Sequence, residues 1–550
     1  MDSKKQINEL KALVESLKAK VSGLEKNELK LKKQEFELKA KIEDLEISND
    51  WFREQLRIAQ LHRFGSSSEK TQILNQLSLF NETENLSDES VPEPEMEQVT
   101  YRRKKSKGKR EEFYKNFSVK QTVYELSPDE CICKDCKGVL HACGEEVHHS
   151  ELEVIPAQAF KVKHIQKIYS CRNCEKNSKT GKVPMVKAPV PKPVIKGSGI
   201  ASPSLVSLVT CNKFVLALPL RRQEKELKRM GIDISCQTLS NWVNKASLDW
   251  LSLIYDLLHE EYLKLDIGHA DETTVQVIKE DGRKSSQKSY MWVYTSGKHS
   301  IRPIVLFDYQ QTRQGMHTLN FLDGFEGFLH VDAYAGYRKL EELRIILVEC
   351  WAHARRKFDE ALKAMDKKDR TNSQAKIGFD YCNKLFELER KYDKLLLSPE
   401  DRFRQRELES RPITEKFFEW AESMLPGTHS KSKFGRAVRY AVNQRSRLNN
   451  FFLDGRLEIS NNLAERSVRP FAVGRKNWMF IYSSKGAKAS AIAYSIIQTA
   501  QANGLVPFIY LDYLFQKLPN MEGQDISCLL PWDPEIQKIC RVPSSKEVPS

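Results

Sequence analysis

The chain is 550 residues long and carries 88 Lys and Arg against 74 Asp and Glu, a net charge of +14. At roughly 100–200 residues per domain this length holds about three to five domains, and 40 % hydrophobic residues exclude wholesale disorder. No apolar run approaches the ~18 residues of a membrane span, the charged start MDSKKQINEL lacks the apolar stretch of a secretory signal, and 12 cysteines are too sparse for a disulfide scaffold, so a reducing, cytoplasmic compartment is expected. The excess of base points to a polyanion, nucleic acid before an anionic membrane surface.

In chain order, residues 4–62 are almost free of Pro and Gly and repeat every seven residues. With d at Leu10, the d positions are Leu10, Leu17, Leu24, Leu31, Leu38, Leu45 and Phe52, all apolar, and five of eight a positions are apolar. Flanked by Lys and Glu, such a seam predicts a coiled coil between chains, with one long solvated helix packed on its own chain as the alternative. The periodicity ends at Gly65 in LHRFGSSSEK. Residues 81–98 then hold seven acids and no base, and residues 101–112 hold seven bases, a pattern expected of a disordered linker whose basic block can lie along phosphates or fold back on the acidic one.

Cys133-Lys-Asp-Cys136 and Cys171-Arg-Asn-Cys174 are two C-x-x-C knuckles with 34 residues between them. Paired thiolates at this spacing reach one ion, and two pairs close a tetrahedral site. Soft ligands in a reducing compartment favour one structural zinc in a ribbon-like module, with Cys131, Cys143, His141, His148 and His149 as possible substitutes. A Pro/Lys-rich boundary follows at 179–204. Beyond it the pattern predicts a helix, a break at Pro219, a helix to about Met230, a turn at Gly231, and a helix from Ser235 to Leu248 exposing Gln237, Ser240, Asn241 and Asn244. That order suits a DNA-reading helix-turn-helix, and equally a plain helical hairpin.

Residues 265–280, SYMWVYTS and IRPIVLFDY alternate like three meandering strands, followed by a helix at Gly315–Leu322, a strand ending in Asp332, a short helix and the strand IILVEC. This is the order of an RNase H-like α/β core, in which the first and fourth strands are neighbours. Asp271 and Asp332 would then meet at one sheet edge. With a third acid they suit Mg²⁺, two ions ~4 Å apart serving attack and departure. The candidate third acid is Glu465, on a helix capped by Asn461 or Asn462, with Arg469 one turn on and Arg475 and Lys476 following. Residues 351–457 are charged and helix-forming, an expected helical insertion. Asp308, Asp323, Glu272 and Asp359 compete locally, and the repeated His269-Ala-Asp271 and His330-Val-Asp332 leave open a His/Asp phosphoesterase or supporting histidines.

Taken jointly, FGSSSEK, the four cysteines, LPLRRQE with GIDISCQTLSNWV, HADETTV, VDAYAGY, CWAHARRKF, SNNLAERSVRPFAVGRKNWMF and SIIQTAQANGLVPFIYLDYLFQKLP resemble the transposases of the insertion sequence 66 family over nearly the whole chain. The first knuckle departs from the family's usual C-P-x-C-G, with Pro absent and Gly at position 138. The resemblance implies a multidomain α+β protein. Its parts are a leucine-zipper coiled coil (1–70), an acidic/basic linker (71–114), a zinc-finger-like module (115–180), a linker with helix-turn-helix-like helices (181–260), and an RNase H-like core (261–350 and 458–503) split by a helical insertion (351–457) and followed by a C-terminal element (504–550).

It also implies a D-D-E site of Asp271, Asp332 and Glu465 holding Mg²⁺ or Mn²⁺, and zinc on Cys133, Cys136, Cys171 and Cys174. Arg469, Arg475, Lys476, Arg355 and Arg356 are candidates for phosphate. The expected function is metal-dependent cleavage and strand transfer at the inverted repeats of a mobile element. Double-stranded DNA, a second copy and helper proteins are the expected partners, and the bacterial cytoplasm and nucleoid the place. A silent DNA-binding descendant and a nuclease without joining activity are the rivals.

Overall fold

The N-terminal periodic stretch forms one helix, α1 (Asp2–Phe64), ending one residue before Gly65. The computed structural model describes residues 2–64, 158–170, 185–366 and 368–542. The four candidate zinc cysteines and the acidic and basic blocks lie outside them. The chain divides into two compact units, one of Met1–Ser90 with Pro193–Cys540, the other of Val91–Lys192 with Arg541–Ser550. In the second unit β1 (Ile168–Ser170) pairs antiparallel with β2 (Met185–Lys187), Tyr169 opposite Val186.

In the first unit three helices follow the predicted breaks: α2 (Pro203–Phe214), α3 (Leu220–Arg229) and α4 (Cys236–Ala246). Ser202 and Ser235 cap α2 and α4 by accepting the N–H of Leu205 and Thr238. Gly231 takes φ +80° in the turn between α3 and α4. The chain does not stop at Leu248. It widens into a π-helical turn and continues as α5 (Ser252–Leu263).

The sheet follows: β3 (Ile267–Lys279), β4 (Lys288–Ser296) and β5 (Val305–Gln310), then α6 (Met316–Phe321), β6 (Gly327–Val331) and β7 (Ile345–Glu349). β3, β4 and β5 form an antiparallel meander, and β6 and β7 continue parallel to β3, giving the order β5-β4-β3-β6-β7. β4 is buried along nearly its whole length, with Trp292 and Tyr294 inside, which explains its near-continuous apolar run.

Residues after β7 are helical, as expected of an insertion: α7 (Trp351–Lys363), α8 (Gln374–Lys394), α9 (Pro399–Gln405), α10 (Arg411–Met424) and α11 (Lys433–Asn443). They enclose their own core around Trp351, Phe358, Phe417 and Phe451, joined to the sheet through Ile267 and Val348. The chain returns as α12 (Asn462–Trp478), β8 (Ile481–Ser483) and α13 (Ser484–Ala502), and ends in α14 (Pro507–Lys517) and α15 (Pro534–Cys540).

Edge strand β5 is closed by α13. Ser495 Oγ accepts the Phe307 N–H at 2.7 Å, and Thr499 Oγ1 accepts from Val305 N at 3.0 Å and donates to Val305 O at 2.9 Å. These hydroxyls satisfy backbone groups that an open edge would offer to another chain. Helices α2, α4 and α5 share one buried cluster with this sheet and with α13 and α14.

The C-terminal end of α1 docks on the insertion. Trp51 stacks on His429 at 5.0 Å, Glu54 accepts the Lys433 N–H at 2.9 Å at the start of α11, and Arg57 reaches Asp366 at 3.0 Å and the Ala364 carbonyl at 3.4 Å at the end of α7. An acid thus meets a helix N-terminus and a base a C-terminus, each favourable to the helix dipole. Further up, the seam residues Leu17, Val21, Leu31, Leu38, Ile42 and Leu45 are exposed.

Candidate active site

The site is built on a gap in a ladder. On one edge of β3 the pairing with β6 reaches His269 opposite His330, and the pairing with β8 begins at Val277 opposite Ile481. Helix α12 packs beside the intervening stretch and fills its missing hydrogen bonds from both ends. Asn461 Nδ2 donates to Ala270 O at 2.7 Å, and Arg475 Nη1 donates to Thr274 O. A buried carbonyl left without such a partner would cost about 1–3 kcal/mol.

Asp271 and Asp332 stand two residues beyond the paired histidines on their neighbouring strands. Glu465 occupies the first turn of α12. Burial, and then the charges of Glu272, Asp332 and Glu465, hold the Asp271 carboxyl well above the usual carboxylate range, while the Glu272 N–H bond to its Oδ1 at 2.9 Å opposes the shift. Asp332 Oδ1 accepts the Tyr334 N–H at 3.0 Å, and its Oδ2 lies 4.0 Å from Arg313. Glu465 is drawn toward α7, 3.4 Å from Arg356 Nη2 and 3.8 Å from His353 Nε2.

Asp271 thus feels the charges of both Asp332 and Glu465, as well as that of its neighbour Glu272. Among the described residues, no three His, Cys, Asp or Glu side chains converge tightly enough to form a finished metal nest. The donors are hard oxygens whose mutual repulsion a cation would relieve, so their chemistry fits the ion that the sequence implies.

The histidines of the repeated H-x-D are packing groups. Their buried rings stack at 4.2 Å and 10°. Asn461 donates through Nδ2 to Ala270, so its Oδ1 accepts from His269 Nδ1 at 3.1 Å and fixes the proton there. The bare Nε2 faces Glu458 Oε2 at 3.2 Å, and burial raises the Glu458 carboxyl. Burial pushes His269 down to about 4 and His330 well below its ordinary value. Neutral, enclosed rings of this kind support the strands, the supporting role left open for these histidines. Asn461 does stand at the N-cap of α12, but its side chain makes no cap bond, because the strand and His269 take it.

The basic candidates separate. Arg356 faces Glu465, whereas Arg355 lies over Phe379 at 5.1 Å on another side of α7. Arg475 donates from Nη1 to the Thr274 carbonyl of β3, and burial lowers its pKa. Arg469 and Lys476 are exposed on α12. Of the competing acids, Glu272 is held by Arg313 Nε at 2.6 Å and Tyr337 OH at 2.7 Å, Asp308 accepts from Gln310, and Asp359 pairs with Lys363 at 2.7 Å. Sequence reasoning missed His353 and Arg313. The first had a usable signal, since His353 and Arg356 in CWAHARRKF are three residues apart and share a helix face.

Comparison with known proteins bears on this arrangement. A sequence model described as the transposase IS66 family matches residues 198–489, which span all three acids. Models described as the zinc-finger binding domain of transposase IS66, the IS66 C-terminal element and the transposase C of IS166 homeodomain match residues 130–175, 495–532 and 51–120. The first of these contains the four cysteines. Two Sinorhizobium fredii proteins, the uncharacterized y4hP and y4jD, are 28 % and 27 % identical to the chain over 423 and 421 residues. The alignments cover 74 % of this chain in each case, and 73 % and 79 % of the relatives. With more than half its length inside one family model and its flanking segments inside three companions, the chain belongs to the IS66 transposase family.

Proposed function

We propose that the protein is a DNA transposase of the D-D-E type, cutting and joining DNA at the ends of a mobile element. The observation that carries this reading is the placing of Asp271 on β3 and of Asp332 just past the end of its parallel neighbour β6, close enough for Asp332 and Glu465 of α12 both to act on the Asp271 carboxyl. The order β5-β4-β3-β6-β7 is the one an RNase H-like core uses, which supports the same reading. Asp271, Asp332 and Glu465 would hold two Mg²⁺ or Mn²⁺ ions, whose charge would draw phosphate and water to the carboxylates.

Water attacks phosphorus at the element end, the P–O3′ bond breaks, and the leaving oxygen takes a proton to give a 3′-OH. In joining, that 3′-OH loses its proton and attacks a target phosphorus, and the target's own P–O3′ bond breaks. One phosphodiester replaces another, so no external energy source is needed. Arg356 and His353 steady Glu465, and Arg469 and Lys476 lie on the helix face available to phosphate. One structural zinc on Cys133, Cys136, Cys171 and Cys174, pairing of α1 with a second copy, contact with helper proteins and work on the bacterial nucleoid complete the reading. Both the silent descendant and the simple nuclease lack an observation in their favour.

The test is cleavage of a terminal-repeat duplex with Mg²⁺ by wild type and by Asp271→Ala, Asp332→Ala and Glu465→Gln. Each variant should lose at least about a thousandfold in cleavage, roughly 4 kcal/mol of barrier, while keeping its affinity for the ends. Undiminished cleavage by any of them overturns the site. Strand-transfer products from a 3′-OH donor separate a transposase from a nuclease.

A further inference from the structure

Helix α12 ends in an unusual way. Met479, just past its last residue, takes φ 63° and ψ −48°, and the Phe480 N–H donates back to Trp478 O at 2.8 Å. This is a γ-turn of the positive-φ kind, which is rare and strained for a residue bearing a side chain. Strain persists only where the surroundings enforce it, and it concentrates at functional positions. Both flanks here are fixed. Arg475 ties the helix to Thr274, and Ile481 opens the strand that pairs with β3 at Val277.

The turn thrusts apolar side chains outward: Met479 is 71 % exposed, Phe480 50 % and Tyr482 60 %. Their setting is cationic. Arg466, Arg469 and Lys476 are exposed on α12 at helical spacing between Glu465 and the turn, and Lys279 and Lys485 are exposed beyond it. Glu465 is the only acid of α12. An apolar tip in a basic field suits a partner with charged rails and a stacked apolar interior, which is duplex DNA. Proteins that bend or open a duplex insert such side chains between base steps.

We infer that Met479, Phe480 and Tyr482 form a wedge that enters the base stack of the bound duplex. From Glu465 to Met479 the helix runs about four turns, roughly 20 Å, so the wedge meets DNA within about six base steps, at ~3.4 Å each, of the phosphate at the acids. The inference rests on the proposed DNA-transposase activity and names what that site does to its substrate.

The test uses the full chain and a duplex taken from the DNA flanking its gene, with 2-aminopurine moved step by step away from the cleavage point. Binding is followed by anisotropy and unstacking by 2-aminopurine fluorescence. Wild type should raise fluorescence about twofold or more at one or two neighbouring steps. Met479→Ser with Phe480→Ser should abolish the rise and weaken binding by less than about tenfold. Met479→Gly, which relieves the turn without touching the core, guards against misfolding: it should raise the Tm and still reduce unstacking. An abasic site at the responsive step should tighten wild-type binding several-fold and leave the double variant unchanged. Binding with no responsive step, or undiminished unstacking by the variants, overturns the wedge alone. Failure of wild type to bind or cleave the duplex overturns the transposase reading and the wedge with it.

Discussion

Glu349 ends β7 at 3 % exposure, with its Oε2 lacking a hydrogen-bond partner among the described residues. Burial pushes its carboxyl up to about 8, although Arg447 and Arg338 pull the other way. The folded protein therefore holds a proton that the unfolded chain releases near pH 4.5. Stability from this group is complete below pH 4.5 and is lost as the pH climbs toward 8. Glu349→Gln should thus stabilise the protein at pH 8 by about 1–3 kcal/mol and have little effect at pH 4.5, as denaturant titrations at the two pH values would show. Asn461 is the opposite case, a polar side chain fully used. Asn461→Ala orphans His269 Nδ1 and Ala270 O together and should cost about 2–4 kcal/mol in the same titrations. The three candidate acids could be singled out at this scale because each sits in a short motif. The service of Asn461 to a strand far away in sequence was not, since an asparagine before a helix looks like a cap.

Among the elements, the insertion carries an instructive pair. Arg406 is fully buried in the turn after α9. It donates to Glu389 of α8 from Nε at 2.7 Å and Nη2 at 2.8 Å, and to the carbonyls of Phe451 and Leu457 at 2.9 and 2.8 Å. One guanidinium thus joins α8 to the chain that leads back to α12. Glu389→Ala strands a buried charge and should destabilise the protein by about 3–5 kcal/mol, seen as a lower Tm, whereas Arg406→Met with Glu389→Leu should recover much of that loss. The meander, the helix pair around Gly231 and the helical insertion were readable from alternation, capping serines and turn residues. Strand β8 and the turn before it were not, because three residues of strand carry no period and a γ-turn at methionine has no sequence signature. The fifth helix escaped notice because the π-helical turn ahead of it breaks the period without ending the helix.

For the whole molecule, α1 divides its labour. Its last turns dock on the insertion, and the seam before them meets solvent in the single chain. Both expectations, a packed helix and a coiled coil, thus have a place on it. Light scattering of the full chain should give a dimer or larger, and Leu31→Lys with Leu38→Lys should reduce it to a monomer without lowering the stability of the remaining fold by more than about 1 kcal/mol. The overall charge proved informative only once it was located. α3 exposes Arg222, Lys225 and Lys228, and α12 exposes Arg466, Arg469 and Lys476 beyond its single acid, so base is gathered on particular helix faces rather than spread evenly.

The gap on β3 also governs the order of events while the protein is being made. The strand carrying Asp271 and the strand that Asp332 follows leave the ribosome early, but α12 and β8, which fill the gap on β3, and the hydroxyls of α13, which close β5, emerge only after the whole insertion. At roughly 5–20 residues per second that wait lasts about ten seconds. Until then the nascent sheet keeps the gap on β3 and the open edge of β5, and Glu465 has not yet been made. A message broken anywhere in the insertion yields a chain that cannot close its sheet, so premature termination leaves material for proteases instead of a stable, partly folded copy.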